Sequence, residues 1–207
     1  MMQMPIAVLV SGSGSNLQAI IDASTGDPDF GASIVAVLAD RPHVRGLERA
    51  AAAGIPTRVV PWPGASGRNW FTAAVCDAAE DAGASALVLA GFMRILTRDA
   101  VDRFPDRILN IHPALLPAFP GAHGIRDALE HGVKVSGVTV HFVDEHVDHG
   151  PIIAQKAVPV LAGDTEESLH ARIQIEEHDL YPRVIKAFAN GRLSVEGRTV
   201  IWEGETL

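Results

Sequence analysis

One cysteine, Cys76, among 207 residues excludes an intrachain disulfide and fits a reducing compartment. Aromatic residues make up only 5%, and 17 Lys and Arg are outnumbered by 25 Asp and Glu. The formal charge of -8 sets long-range electrostatics against nucleic acid and anionic membrane. No segment approaches the ~20 uninterrupted apolar residues of a membrane helix. The stretch before Ile6–Val10 lacks the basic lead-in and long apolar run of a signal peptide. Repeats and low-complexity tracts are missing too. These absences predict a soluble, cytoplasmic protein that acts on small molecules, without nucleic-acid or membrane partners, as a monomer or homodimer. An acidic chain still has room for a local anion site, because N–H groups at a helix start bind phosphate without net positive charge.

What is present is an ordinary globular balance, 47% hydrophobic and 20% charged. Strand-length apolar runs alternate with helical patterns. Ile6–Val10, Ser33–Ala39, Thr57–Val60, Ala86–Ala90 and Ile108–Ile111 read as strands. Helices are expected from Asn16 to Ala23, Gly46 to Ala53, Arg68 to Ala82 and Thr165 to Ala189, with Gly54, Gly83 and Asn190-Gly191 as stop signals. Val135–Val143 and Ile152–Val158 read as two strands around a polar turn, and a short β tail runs from Leu193 to Trp202. Such alternation predicts an α/β fold: a doubly wound, mostly parallel sheet with helices on both faces, in a single domain over 1–207, with Val135–Val158 as an antiparallel addition.

Between the first strand and helix lies Ser11-Gly-Ser-Gly-Ser-Asn16. Two readings stay open. Gly12 and Gly14 permit a tight turn with Asn16 as helix cap, or the loop and helix start hold a phosphate, with Ser15 and Asn16 as added donors. A dinucleotide fingerprint fits poorly. Asp40 ends the second strand where a ribose-binding acid would lie, but Leu17 is too bulky for the third small residue of that motif. The Walker lysine is absent as well, so a monophosphate suits the loop better than a pyrophosphate.

The richest segment is Asn110-Ile-His-Pro-Ala-Leu-Leu-Pro117. Asn110 and His112 are two apart, so a strand points both side chains to one face. Pro113 ends the ladder and leaves His112 at the carboxyl end of the strand, where ligands bind in open α/β sheets. An amide donor beside an imidazole suits a reaction that builds negative charge on a carbonyl oxygen. The same pair would also serve merely to satisfy loop backbone. In Asp144-Glu-His-Val-Asp-His-Gly150, Gly150 and Pro151 fix the backbone beside Asp148. A carboxylate there, near His112, would favour imidazolium and accept a proton through water. Neither serine nor cysteine stands in a nucleophile setting, so direct transfer between two bound substrates is expected.

Four stretches together carry a resemblance: Ser11–Gln18, Ala90–Leu96, Asn110–Pro117 and Val147–Pro151. Gly163-Asp164, Glu177-His178 and Tyr181-Pro182 extend it over nearly the whole chain. The sequence resembles the phosphoribosylglycinamide formyltransferase family, folate-dependent enzymes of purine synthesis. The resemblance implies transfer of the formyl group of 10-formyltetrahydrofolate, the co-substrate, to the amine of N1-(5-phosphoribosyl)glycinamide. It implies Asn110, His112 and Asp148 as catalytic residues. Gly14, Ser15 and Asn16 would hold the ribonucleotide phosphate, with Glu177 near the same substrate. Arg68, Met93, Arg94, Ile95, Leu96, Asn110 and the run Asp144, Glu145, His146, Val147 and Asp148 would line the folate site. No metal is expected.

Ala114, Ala118, Ile125 and His149 depart from the family pattern, where serine, lysine, a polar residue and glycine are usual; His123 and His141 match it, with structural roles expected. A formyltetrahydrofolate hydrolase is the alternative within the fold. Methionyl-tRNA formyltransferase, longer and basic at its C-terminus, fits this chain less well. From another class, a metal-dependent hydrolase would use His141, His146, His149 and Asp148, whose spacing matches no recognised metal motif. A non-catalytic binding module is the remaining rival.

Overall fold

The computed structural model describes residues 3–204. They form two compact units, one up to Leu109 and one from Asn110 onward.

In the first unit, strands and helices alternate: β1 (Met4–Val10), α1 (Ser15–Gly26), β2 (Ala32–Ala39), α2 (Arg45–Ala52), β3 (Thr57–Val59), α3 (Arg68–Asp81), β4 (Ala86–Leu89) and α4 (Arg98–Arg103). The strands lie in the order β3-β2-β1-β4, every pair parallel. Continuous apolar runs such as Ile6–Val10, wholly buried, belong in a parallel sheet covered on both faces. Leu17, Ile20 and Ile21 on α1 repeat at helical spacing and are buried. Each such side chain stabilises the fold by roughly 1.5–3 kcal/mol. The α1 and α2 helices pack together, as do α3 and α4.

Helix α1 begins one residue before the Asn16 expected from sequence and extends three residues past Ala23. Gly14, at φ 68, is its N-cap and makes no side-chain cap bond, so Asn16 is not the cap. Gly14 is required sterically as well as conformationally: a Cβ there would meet Gly46 Cα at 2.6 Å. Helix α4, six residues long, was not anticipated, being too short to show a helical period.

Strand β5 (Ile108–His112) crosses the boundary along the chain. The second unit then contains α5 (Gly124–His131), β6 (Val135–Phe142), β7 (Ile152–Pro159), α6 (Glu166–Ala189), β8 (Leu193–Glu196) and β9 (Thr199–Trp202). The expected antiparallel addition is present: β6 pairs antiparallel with β7, and the register shifts between Val140 and His141. The terminal β tail is an antiparallel hairpin of β8 and β9 whose Thr199 meets Ile152 of β7.

Helix α6 packs on β6 and β7, through buried Leu169, Ile173, Leu180 and Val184. A reciprocal cap starts it, with Thr165 Oγ1 accepting from Ser168 N at 3.2 Å and Ser168 Oγ accepting from Thr165 N at 2.9 Å. Eight-residue α5 was not anticipated either. Among the described residues no helix is long and apolar enough to cross a membrane.

Candidate active site

Strand alternation places Asn110 and His112 on one face of β5, as their spacing requires. The loop after β6 returns Asp148 to them. Asp148 Oδ1 accepts from Asn110 Nδ2 at 3.4 Å, and Oδ2 lies 3.4 Å from His112 Nδ1. Gly121 N–H donates to the same Oδ2 at 2.7 Å. Asp148 itself has φ 49, in the left-handed region, where an aspartate is tolerated better than most residues. Gly150 makes this loop possible, since a Cβ there would sit 2.0 Å from Phe142 O.

His112 is 4% exposed. Its Nε2 donates to Phe119 O at 2.8 Å while Nδ1 faces the carboxylate. Both ring nitrogens therefore face acceptors, an arrangement that only the doubly protonated ring satisfies in full. Burial alone would raise the carboxyl of Asp148. The His141 ring, the His112 charge and the Gly121 N–H outweigh it and hold the group below its usual 3.8.

His141 joins this cluster. Its Nδ1 donates to Phe142 O at 2.7 Å, and its Nε2 lies 3.1 Å from Asn110 Nδ2. That Nε2 is also 3.7 Å from Asp148 Oδ1. The following loop is locked by Thr139, whose Oγ1 donates to Ala114 O at 2.7 Å and accepts from Leu116 N at 3.0 Å. Gln155 Nε2 reinforces it by donating to Leu116 O at 2.8 Å. Thr139 and Gln155 carried no signal in the sequence beyond being polar residues inside apolar strands.

Asp144, Glu145, His146 and Val147 form the loop leading to Asp148. Asp144 Oδ2 accepts from His149 Nδ1 at 2.7 Å, and Oδ1 accepts from His146 N at 2.9 Å. Burial raises the Asp144 carboxyl, but these two bonds prevail and keep it low. Glu145, His146 and Val147 are exposed. Asp144, His146 and His149 bring ligand atoms within 4.8 Å of one another. The grouping imagined for a metal hydrolase is split: His141 and Asp148 turn to Asn110 and His112 instead. Arg198 Nη1 lies 3.3 Å from His149 Nε2, an unfavourable neighbour for a cation.

In the first unit, Gly14, Ser15 and Asn16 stand at the start of α1, where the N–H groups of the opening turn precede the first intrahelical bond, Gln18 N to Gly14 O at 2.9 Å. That helix end suits an anion, and Asn16 is 7% exposed. Ser11 ties this loop to the segment after β4: its N–H reaches Gly91 O at 3.2 Å and its Oγ accepts from Met93 N at 2.9 Å. Met93 and Ile95 are exposed, Arg68 and Leu96 half-buried. Arg94 donates from Nε to Asp40 Oδ2 at 2.5 Å. Asp40 is thus an ion-pair partner and no ribose acid. Glu177 lies on α6, 5% exposed. Cys76 is buried in α3, where burial pushes its thiol up to about 12, so it is no nucleophile.

An amide and an imidazole at a strand end, beside a carboxylate that a loop holds in place, define an α/β enzyme for chemistry at a carbonyl. The comparisons sharpen that class. The formyl transferase family model matches residues 4–185, and the chain belongs to that family. It is 44% identical over 204 residues to phosphoribosylglycinamide formyltransferase of Escherichia coli, covering 99% of this chain and 96% of that one. It is 46% identical over 202 residues to the bovine trifunctional purine biosynthetic protein adenosine-3, covering 97% of this chain but only 20% of that protein. The crystal structure of glycinamide ribonucleotide transformylase 1 from Symbiobacterium toebii superposes with TM-score 0.91 at 48% identity, over 97% of this chain and 94% of that one. A formyltetrahydrofolate deformylase from Pseudomonas syringae shares the fold, with TM-score 0.89, at 25% identity over 97% of this chain and 66% of that one.

Proposed function

We propose that this chain, acting as a single formyltransferase domain in the cytoplasm, moves the formyl group of 10-formyltetrahydrofolate onto the amine of N1-(5-phosphoribosyl)glycinamide. The products are the N-formyl ribonucleotide and tetrahydrofolate, a step of purine synthesis. The observation that carries the proposal is the convergence of Asn110 and His112 on the Asp148 carboxylate. The E. coli relative, matched nearly end to end, supports transfer over the deformylase reaction.

In this mechanism the phosphate docks at Gly14–Asn16, with Glu177 near the same substrate, and the folate lies along Arg68, Met93–Leu96 and Asp144–Asp148. Holding both reactants together makes the attack effectively intramolecular. The amine nitrogen bonds to the formyl carbon and its carbonyl oxygen becomes an oxyanion. Asn110 has two amide N–H groups. The one directed at Asp148 makes the longer bond, 3.4 Å against 3.1 Å, and is the one free to turn to the oxyanion. His112, cationic beside Asp148, stabilises that oxygen. Once Nε2 leaves Phe119 O, it protonates the departing folate nitrogen as the carbon–nitrogen bond breaks. Asp148 accepts the amine proton through water. No metal takes part in any of these steps.

An absorbance assay with a 10-formyl folate analogue, run with and without the ribonucleotide, tests the proposal. Turnover that needs the amine is expected. Equal turnover without it would mean hydrolysis and overturn the assignment.

A further inference from the structure

Asp40 closes β2, and its side chain is 0% exposed. It holds two things at once. Its carboxylate takes Arg94 Nε at 2.5 Å, and its main-chain carbonyl takes Trp62 N at 3.0 Å. The Arg94 guanidinium carbon then lies 5.2 Å from the Trp62 ring centroid, so the cation is held between an acid and an aromatic face. Asp40 Oδ1 has no hydrogen-bond donor among the described residues and meets Arg41 Nε at 3.6 Å. A carboxylate buried with so few donors is costly, and it is tolerated only where a counter-charge is fixed. Arg94 is that charge.

The consequence falls on the segment that carries Arg94. Gly91–Leu96 has no regular secondary structure to hold it, and exposure alternates along it: Met93 62%, the Arg94 side chain 27%, Ile95 48%. Arg94 turns inward at a bend and leaves its two apolar neighbours exposed. Ser11 Oγ pins the adjacent N–H of Met93. Two exposed apolar side chains on a doubly anchored segment offer apolar surface suited to a flat ring.

We infer that Asp40 is a positioning residue for donor binding: its ion pair with Arg94 sets the 91–96 main chain so that Met93 and Ile95 face the pterin-type ring of the formyl donor. This rests on the assignment of that segment to the folate under the proposed function. The Arg94 side chain accordingly acts through its neighbours, while its main chain stays part of the segment proposed to line the donor.

Steady-state kinetics and direct titration with a non-transferable 10-formyl folate analogue test it, on Asp40→Asn, Asp40→Ala and Arg94→Lys. The expected result is a rise of about tenfold in donor KM and analogue Kd, with kcat and ribonucleotide KM within about twofold, for the two Asp40 variants. Arg94→Lys, which keeps the charge but loses the fork and the stack, should move the same constants by less. Ligand-free Trp62 emission should shift in Asp40→Ala as Arg94 is released. Wild-type analogue affinity together with a shifted emission would overturn the inference, as would equal rises in both substrates' KM. If the unaltered protein fails to bind the analogue, the folate assignment itself falls, and that outcome is distinguishable from loss in the variants alone.

Discussion

Asp148 Oδ2 lies 3.4 Å from His112 Nδ1 while also accepting the Gly121 N–H at 2.7 Å. The carboxylate is therefore tethered to backbone and cannot swing away from the imidazole without losing a bond. The pair's geometry is set by the fold before any ligand arrives.

If His112 and Asp148 share the proton traffic of formyl transfer, His112→Ala and Asp148→Asn should each lower kcat by roughly 10²–10⁴. Circular dichroism and ribonucleotide binding should remain close to those of the unaltered protein. A variant with near-normal kcat would remove its residue from the mechanism.

The anion site makes a different prediction. Ser15→Ala and Asn16→Ala should raise KM for the ribonucleotide severalfold and leave donor KM alone. Ser11→Ala should raise both, because Ser11 Oγ bonds Met93 N while its own backbone begins the glycine loop. Initial-rate measurements varying each substrate in turn distinguish the two patterns.

Acid stability should bear the mark of Asp148. Its folded-state pKa is depressed, so its stabilising contribution is complete above the unfolded value near 3.8 and is lost as pH falls through the lower folded value. Urea unfolding of wild type and Asp148→Asn from about pH 6 to about pH 2 should show the difference between them shrinking only at the acid end. A constant difference across that range would contradict the depressed pKa.

Gly150→Ala should destabilise the protein by more than about 2 kcal/mol, because the added methyl meets Phe142 O at 2.0 Å and backbone has to move. Urea midpoints measure the loss, and kcat should fall with it as the Asp148 loop shifts. Wild-type stability would show that the turn relaxes freely.

Much of this was legible in the residues. Strands such as β1 and β4 announced themselves because a sheet buried on both faces needs unbroken apolar runs. Asn110 and His112 were visible through period-two alternation, and Asp148 through the Gly150-Pro151 punctuation. His141 was not, since within Val138-Thr-Val-His-Phe142 it looks like one more strand residue. Only tertiary folding brings its Nε2 within 3.1 Å of Asn110. The Arg94 ion pair was hidden for a related reason: nothing in the residues shows that a buried acid distant in sequence holds its side chain. Helix α4, at six residues, was too short to leave a period.

One contact reaches the site loop from beyond the stretch that the family model matches. The family match ends at residue 185, yet Arg198, between β8 and β9, donates to His149 O at 2.6 Å, one residue from Asp148. Arg198 and the loop carbonyl thus form a clasp beside Asp148. Shortening the polypeptide to residues 4–185 would keep every proposed reactive group and still slacken the loop that aims one of them.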